Sequence, residues 1–371
     1  MNHIDRRQWL KTISLSGSFA LMGGLESMAM QFPSKPSLPD SPVKLNANEN
    51  PYGPSKAVRE TLKATFDDAC RYPFATLPGL VKMLAEKEGV PPESIVVTGG
   101  STEGLKAAGL VYGLAGGEII AADPTFQALL SYAENFGAFV HRVSLNSKLE
   151  HDLDAMSRRV TGKTRLIFIC NPNNPSGTIL NNETLRDFCK SHDGQAVIFS
   201  DEAYYDFILE PDYPSMTELV KEGRNVIVSK TFSKVYGMAG LRIGYLIARP
   251  DIARRLNDAA MASTNTLAIA AAMKALQDDE FYKYSLGRNM EAKTRIYQTL
   301  DELRLPYIKS HTNFIFFKSG RPIQQLEKDM QRENVLIGRP FPPMLDWARI
   351  STGTLEDVKA FSDALTRVMR T

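Results

Sequence analysis

The stretch SKTFSKVYGMAGLRIGY, residues 229–245, sets the amine of Lys234 and the planar guanidinium of Arg242 among small residues that let a flat ligand come close. A lysine amine held away from water is a nucleophile that forms Schiff bases with carbonyl compounds, and an arginine fork suits a phosphate. Lys230 in the same stretch reads equally well as a solvated surface amine. SDEAYY, at 200–205, puts Asp201 directly after the apolar run AVIF, and an acid at such a buried mouth requires a cationic partner. Tyr204 points to the same side if a helical turn begins at Asp201. In TGGSTEG, at 98–104, Gly99 and Gly100 end an apolar run and Ser101 and Thr102 open a helical one. That pattern aims free backbone N–H groups and two hydroxyls at one point, an anion site, although an ordinary strand-to-helix turn explains it as well. Leu105 stands where a P-loop needs lysine, and the glycine spacing is not that of a dinucleotide fingerprint. CNPNNPSG, at 170–177, is a proline-stiffened turn that leaves the Asn174 amide facing inward.

Such groups act together only if elements bring them to one place. Short β-branched runs at Ser94–Val97, Glu118–Ala121, Phe139–Val143, Leu166–Cys170, Ala196–Ser200, Asn225–Ser229 and Gly244–Ala248 mostly alternate with helical stretches such as 101–114, 125–136 and 182–192. This alternation predicts an α/β fold with a mainly parallel sheet covered by helices, in which ligands collect at the carboxyl ends of the strands. Every polar segment above follows such a run. After Pro250 the pattern turns to long helical segments to about residue 304, then NFIFF and WARIST as strands of a smaller unit that ends in a helix.

A Schiff-base lysine, an arginine and a helix N-terminus for phosphate, an acid for a pyridinium nitrogen, and amide and hydroxyl donors for a phenolic oxygen describe the needs of pyridoxal phosphate. From LNANENPYGP, at 45–54, to the C-terminal helix the chain resembles the fold-type I, class I/II pyridoxal phosphate-dependent aminotransferases, above all their histidinol-phosphate aminotransferase branch. The resemblance implies Lys234, in TFSK, as the Schiff-base lysine and Arg242, in GLRIG, on the cofactor phosphate, with Thr231, Ser233, Gly100, Ser101 and Thr102 completing the cradle. It implies Asp201 on the ring nitrogen, Asn174 and Tyr204 on the ring oxygen, and Phe126, in ADPTFQ, stacked on the ring. Arg349, in ARISTGT, is expected to grip the substrate carboxylate, with Asn50, Tyr52 and Arg339 as further substrate contacts. Tyr72, in RYPF, is expected to reach the phosphate of a neighbouring subunit, which makes the protein a homodimer. The implied reaction moves an amino group from an L-amino acid or a histidinol-phosphate-like amino-alcohol phosphate to a 2-oxo acid. Relatives of the same fold catalyse decarboxylation or lyase chemistry, as the threonine-phosphate decarboxylase-like proteins do, and a non-catalytic exported binding protein is a third reading, which intact Lys234, Asp201 and Arg242 oppose.

The rest of the chain limits these expectations. A net charge of +2 with 23% charged residues lacks the basic surplus of a nucleic-acid binder. Cys70, Cys170 and Cys189 show no CxxC spacing and the five histidines are scattered, so no metal site or disulfide framework is read. Asp5-Arg6-Arg7-Gln8-Trp9-Leu10-Lys11 precedes a largely apolar run from Thr12 to Leu25. That layout resembles a twin-arginine export signal over 1–30, with a periplasmic destination, only transient membrane contact, and a cytoplasmic location as the alternative. The expected organisation is then a linker and arm at 31–70 that packs with the small domain, a large cofactor-binding domain at 71–260 and a small α+β domain at 261–371. IGRPFPPMLDWAR, before Arg349, offers Arg339 as its cation amid bulky apolar residues, so a donor with an aromatic or aliphatic side chain fits as well as a phosphorylated one.

Overall fold

All seven β-branched runs become strands of one sheet in the computed structural model, which describes residues 41–370. In chain order the strands are β1 (Val43–Lys44), β2 (Ile95–Thr98), β3 (Glu118–Asp123), β4 (Phe139–Ser144), β5 (Thr164–Cys170), β6 (Val197–Asp201), β7 (Val226–Thr231), β8 (Gly244–Ala248), β9 (Phe314–Lys318), β10 (Val335–Leu336) and β11 (Trp347–Ser351). The central sheet runs β2-β8-β7-β6-β5-β3-β4, and the pairs from β7 across to β4 are parallel. Only β8 is reversed, antiparallel to both β2 and β7. The cause is local: the link from β7 to β8 is a tight loop with a single 3-10 turn, Ala239–Leu241, too short for the helical crossover that parallel strands need. That loop is the Lys234 segment, so the same shortness that reverses β8 folds the lysine back over the carboxyl edge of the sheet.

Both faces of the sheet are covered, which explains why its strands read as continuous apolar runs. On one side Ile120, Ile167, Ile169, Ile198 and Val228 pack with Leu80, Leu84 and Phe188; on the other Ile119, Leu166, Phe168, Phe199 and Ile227 pack with Leu105, Leu129 and Leu256. Helices Ser101–Gly113 and Asn182–His192 lie where the pattern predicts them. The helix expected over 125–136 is shorter, Ala128–Asn135. Thr125 and Gln127 instead form a turn, the Thr125 hydroxyl donating to Asn173 Oδ1 at 2.7 Å and Gln127 Nε2 to the Thr125 carbonyl at 2.8 Å. The helical region after Pro250 resolves into Pro250–Asp258, Thr266–Ala275 and Asp279–Glu302.

A third core, with Ile296, Leu300, Ile315, Phe317, Leu326, Val358 and Phe361, joins helices Asp279–Glu302, Ile323–Arg332 and Leu355–Arg370 to the antiparallel pair β9 and β11. Strand β1 lies parallel to β10, Val43 opposite Val335, and Leu45 is buried in the same core. The chain beyond Leu45 is thereby held beside β11, with the Ser351 N–H donating to the Leu45 carbonyl at 2.9 Å. The export-signal-like segment over 1–30 and the linker that follows it to residue 40 lie outside the described residues. Among the described residues no helix is long and apolar enough to cross a membrane.

Candidate active site

The carboxyl ends of β2, β3, β5, β6 and β7 open onto one cleft of about 280 Å³, close to the lower end of the ordinary range for small-molecule sites. Its lining includes Ser101, Thr102, Phe126, Asn174, Asp201, Tyr204, Ser233, Lys234, Arg242, Arg339 and Arg349, so residues separated by most of the chain meet there.

At one end is an anion cradle. Helix Ser101–Gly113 begins there with Gly100 as N-cap, at φ 85°, and no side chain caps its free N–H groups. A Cβ at Gly100 would overlap the Arg242 guanidinium, so both the backbone angle and the close approach require glycine. Arg242 is held by hydrogen bonds from Nη1 to the Ala239 carbonyl at 2.8 Å and from Nη2 to the Gly99 carbonyl at 3.3 Å. Thr231 donates its hydroxyl proton to Ser233 Oγ at 3.0 Å, which orients Ser233 without placing Thr231 in the lining.

At the centre, Lys234 Nζ donates to the Asn48 carbonyl at 2.8 Å and sits 5.3 Å from the Tyr204 ring centre. Burial of the amine, and after it the Arg349 charge, bring its pKa down to about 8, against the opposing pull of Glu49 and Asp201. Asp201 is 2% exposed and accepts the Ala203 N–H at 3.3 Å, with the Ser229 hydroxyl beside it. Burial, and to a lesser degree the neighbouring Glu202, push it up to about 7. A carboxyl so placed lacks a bonded cation and faces the cleft, the situation of an acid awaiting a cationic ligand.

The amide and phenol come together as expected. Asn174 Nδ2 donates to Tyr204 Oη at 3.5 Å, and Asn48 Nδ2 donates to the same oxygen at 2.9 Å. Burial raises the Tyr204 phenol, which stays a donor. Arg349 comes from β11, opposite Phe316 on β9. Its Nη1 donates to Asn174 Oδ1 at 2.7 Å and its Nη2 to the Asn46 carbonyl at 2.8 Å, while Nε is buried with no protein partner. The guanidinium lies 5.4 Å from the Phe314 ring and 4.9 Å from the Phe341 ring, and burial draws its pKa down to about 10. Arg339 lies 4.5 Å from the same Phe341 ring, nearer the surface.

Some expected residues sit elsewhere. Asn50 spends its amide on the Val235 carbonyl at 2.8 Å and Ser285 Oγ at 3.0 Å, and the Tyr52 ring meets Tyr284 edge-on at 5.5 Å. Both line a separate, very small cavity. The backbone at Gly53 packs so closely on Gly237 that a Cβ there would stand 2.6 Å from the Gly237 Cα, so residues 50–53 brace the Lys234 loop from behind instead of entering the cleft. Tyr72 is 78% exposed, stacked on Phe74, and outside the lining of its own chain's cleft. Lys230 is no solvated amine: its side chain is 14% exposed and paired with Glu88 at 2.7 Å. Of the apolar residues before Arg349, Phe341 lines the cleft, whereas Trp347 stacks on Phe316 and Leu345 is exposed. Asn48 and Thr125 are the polar lining residues that sequence reasoning missed. Asn48 lies in the LNANENPYGP segment already singled out, two residues from the asparagine that was chosen.

The family model for class I and II aminotransferases matches residues 40–365. Histidinol-phosphate aminotransferase of Moorella thermoacetica is 36% identical over 330 residues, 88% of this chain and 85% of that protein. A crystal structure from Erwinia carotovora atroseptica, assigned provisionally as a histidinol-phosphate aminotransferase, superposes with a TM-score of 0.86 at 30% identity and covers 89% of this chain and 97% of its own. The fold is shared as well by histidinol-phosphate aminotransferase from Sinorhizobium meliloti in complex with pyridoxal 5'-phosphate, with a TM-score of 0.82 at 24% identity over 88% of this chain and 90% of that one. With its lysine, acid and anion cradle on one cleft and the family match running through both cores of the sheet and the smaller unit, the chain belongs to the class I and II aminotransferases.

Proposed function

We propose that the cleft binds pyridoxal 5'-phosphate and uses it to move an amino group from an L-amino acid or amino-alcohol phosphate to a 2-oxo acid. The observation that carries this reading is the Asp201 carboxyl, raised to about 7 by burial, in the same cleft as a lysine lowered to about 8 and an uncapped helix N-terminus beside Arg242. Those three features fit a pyridinium nitrogen, an aldehyde carbon and a phosphate.

The residues divide the work by their chemistry. Ser101, Thr102, Ser233, Arg242 and the helix N-terminus would hold the phosphate, with Gly100 and Thr231 shaping the cradle. Asp201 would keep a proton on the ring nitrogen, Asn174 and Tyr204 would donate toward the ring oxygen, and Phe126 would cover the ring. Bound there, the cofactor supplies a sink for the electron pair left when the substrate Cα–H bond breaks. Lys234, with about a tenth of its amine neutral at pH 7, serves first as nucleophile and then as the base that takes the substrate Cα proton and delivers it to the cofactor's aldehyde-derived carbon, two atoms away across the nitrogen. Arg349, in the cleft lining with its guanidinium near the Phe314 and Phe341 rings, would receive a carboxylate. Arg339 stands on the other side of Phe341, where a substrate side chain with an anionic end would find it.

An absorption titration from the near-ultraviolet into the visible, with a panel of L-amino acids and amino-alcohol phosphates, tests this. A visible band that one donor bleaches and a 2-oxo acid restores is the expected result. No band after incubation with pyridoxal phosphate removes the reading, and carbon dioxide release without need of an oxo acid replaces it with a decarboxylase.

We infer also that the protein works as a homodimer, with Tyr72 serving the neighbouring cleft. Tyr72 and Phe74, 78% and 75% exposed and stacked on each other, support it, because aromatic surface of this kind is typical of a covered face. Sedimentation should give a dimer, and Tyr72→Phe should weaken cofactor binding roughly tenfold, the loss of one hydrogen bond to a charged group, with dimerisation unchanged. Unaltered affinity would remove Tyr72 from the site.

A further inference from the structure

Behind the cleft lies a buried set of charges that the reaction above does not use. Asp201, the last residue of β6, is paired with Ser229 within β7, with the Ser229 hydroxyl beside the Asp201 carboxyl. Their successors Glu202 and Lys230 turn to the opposite side of the sheet, as successive side chains on an extended chain do. There they line a cavity of about 160 Å³ that shares no lining residue with the cleft. Lys230 Nζ is 2.7 Å from Glu88 Oε2 and 3.9 Å from Glu202 Oε2. Glu88 Oε1 accepts the Tyr245 hydroxyl at 2.7 Å. Glu202 accepts the Met216 N–H at 2.7 Å and the Ser215 hydroxyl at 2.6 Å. Glu88 is 7% exposed and Glu202 4%.

A buried triad is weak ground for stability, because apolar residues of the same volume hold a core as well or better. Its place is more telling. Glu202 follows Asp201 in the chain, and its charge opposes ionisation of that carboxyl. Lys230 is the cation that faces Glu202. Around them, Glu88 and Lys87 come from helix Leu77–Glu88, Asp206 from the turn after β6, and Tyr245 from β8. Burial alone would lower the Lys230 amine, and Glu202 and Glu88 more than reverse it, so the lysine stays charged.

We propose that Lys230 is a positioning residue of the transamination site: held by Glu88, it offsets the Glu202 charge from behind the sheet and so eases the ionisation of Asp201 toward the cleft. The inference rests on the reading of the cleft as a pyridoxal phosphate site. Removing Lys230 adds net negative charge behind the site and favours protonated states in the cleft; removing the Glu202 charge does the reverse.

The test titrates the visible band of the pyridoxal phosphate-loaded protein against pH. Lys230→Met should raise its midpoint and Glu202→Gln should lower it, each by roughly one pH unit or less, and Lys230→Arg should leave it in place. The pH profile of kcat should move in the same directions. Shifts of one sign in both variants, or none, with melting temperatures near that of the wild type, overturn the proposal, because a purely structural triad has no reason to give opposite signs. Should Lys230→Met fail to fold, Glu202→Gln decides alone: its midpoint must fall. A wild-type protein that takes up no pyridoxal phosphate would instead sink the reading of the cleft itself.

Discussion

Lys234→Ala should abolish turnover, with kcat falling roughly 10⁴-fold or more, the upper end of what one positioned acid–base group contributes, because the same amine serves as nucleophile and as proton carrier. The loss should be chemical and not structural. Lys234 makes one polar contact, from Nζ to the Asn48 carbonyl, and its lowered pKa shows that its charge is held in the cleft at some cost. Removing it should leave the melting temperature within a few degrees of the wild type. Cofactor uptake should then be seen only as reversible binding through the phosphate cradle, without the visible band of a lysine-linked carbonyl. Small external amines should restore a fraction of activity, since they replace the base but not its placement. Turnover or a visible band that survives in Lys234→Ala would move the chemistry to another residue.

Asp201→Asn should lower kcat by roughly 10²- to 10³-fold, the loss found when one preorganised electrostatic partner of a transition state is removed. The same change should stabilise the ligand-free chain. The Asp201 pKa rises from 3.8 to about 7 on folding, so the native state prefers the protonated form. Its favourable contribution is whole below the unfolded value near 4 and is lost as pH climbs to about 7, above which the fold carries a buried, ionised and poorly paired carboxylate. At pH 8 the ligand-free asparagine variant should melt above the wild type, by a margin on the order of 4 kcal/mol at most, and the two should converge near pH 4. Saturating the wild type with pyridoxal phosphate should shrink the difference, because a bound cation repays the desolvation of the acid. Melting curves that run parallel across pH would show that Asp201 is not the titrating group, and unchanged kcat would show that it does not touch the reaction.

These two residues were legible early because they rest on short-range chemistry. An acid directly after a buried strand and a lysine in a glycine-rich loop are visible as residue types in a pattern, and the alternation of β-branched runs with helices implies a carboxyl edge on which both must lie. Arg242 and the Ser101 turn were visible for the same reason, since a glycine at positive φ before a helix exposes N–H groups whatever surrounds it.

What failed to show was whatever depended on the direction in which a side chain points across long separations. Asn48, Asn50 and Tyr52 belong to one compact segment, yet Asn48 enters the cleft and the other two brace the Lys234 loop, because the close contact of Gly53 with Gly237 sets the course of the chain. Lys230 has the same sequence context as Lys234, and strand alternation sends the first to Glu88 behind the sheet while the loop after β7 brings the second to the cleft. The apolar run before Arg349 suggested a bulky pocket, but Phe341 alone among its apolar residues enters the lining, while Ile337 joins the third core, Trp347 stacks on Phe316 and Leu345 is exposed.

The sequence by itself therefore determined the class of fold, through local periodicity, and marked polar segments at the carboxyl edge of the sheet, through residue type, while the reaction and the part given to each residue came from the resemblance of those segments to the aminotransferases. Tertiary structure decided which asparagine faces the cleft, which lysine lines it and which is a buried counter-charge, and which carboxyl has its pKa raised. Those outcomes depend on burial and on charges brought together from distant parts of the chain, and neither the dielectric around a group nor its neighbours across the sheet can be read from its own segment.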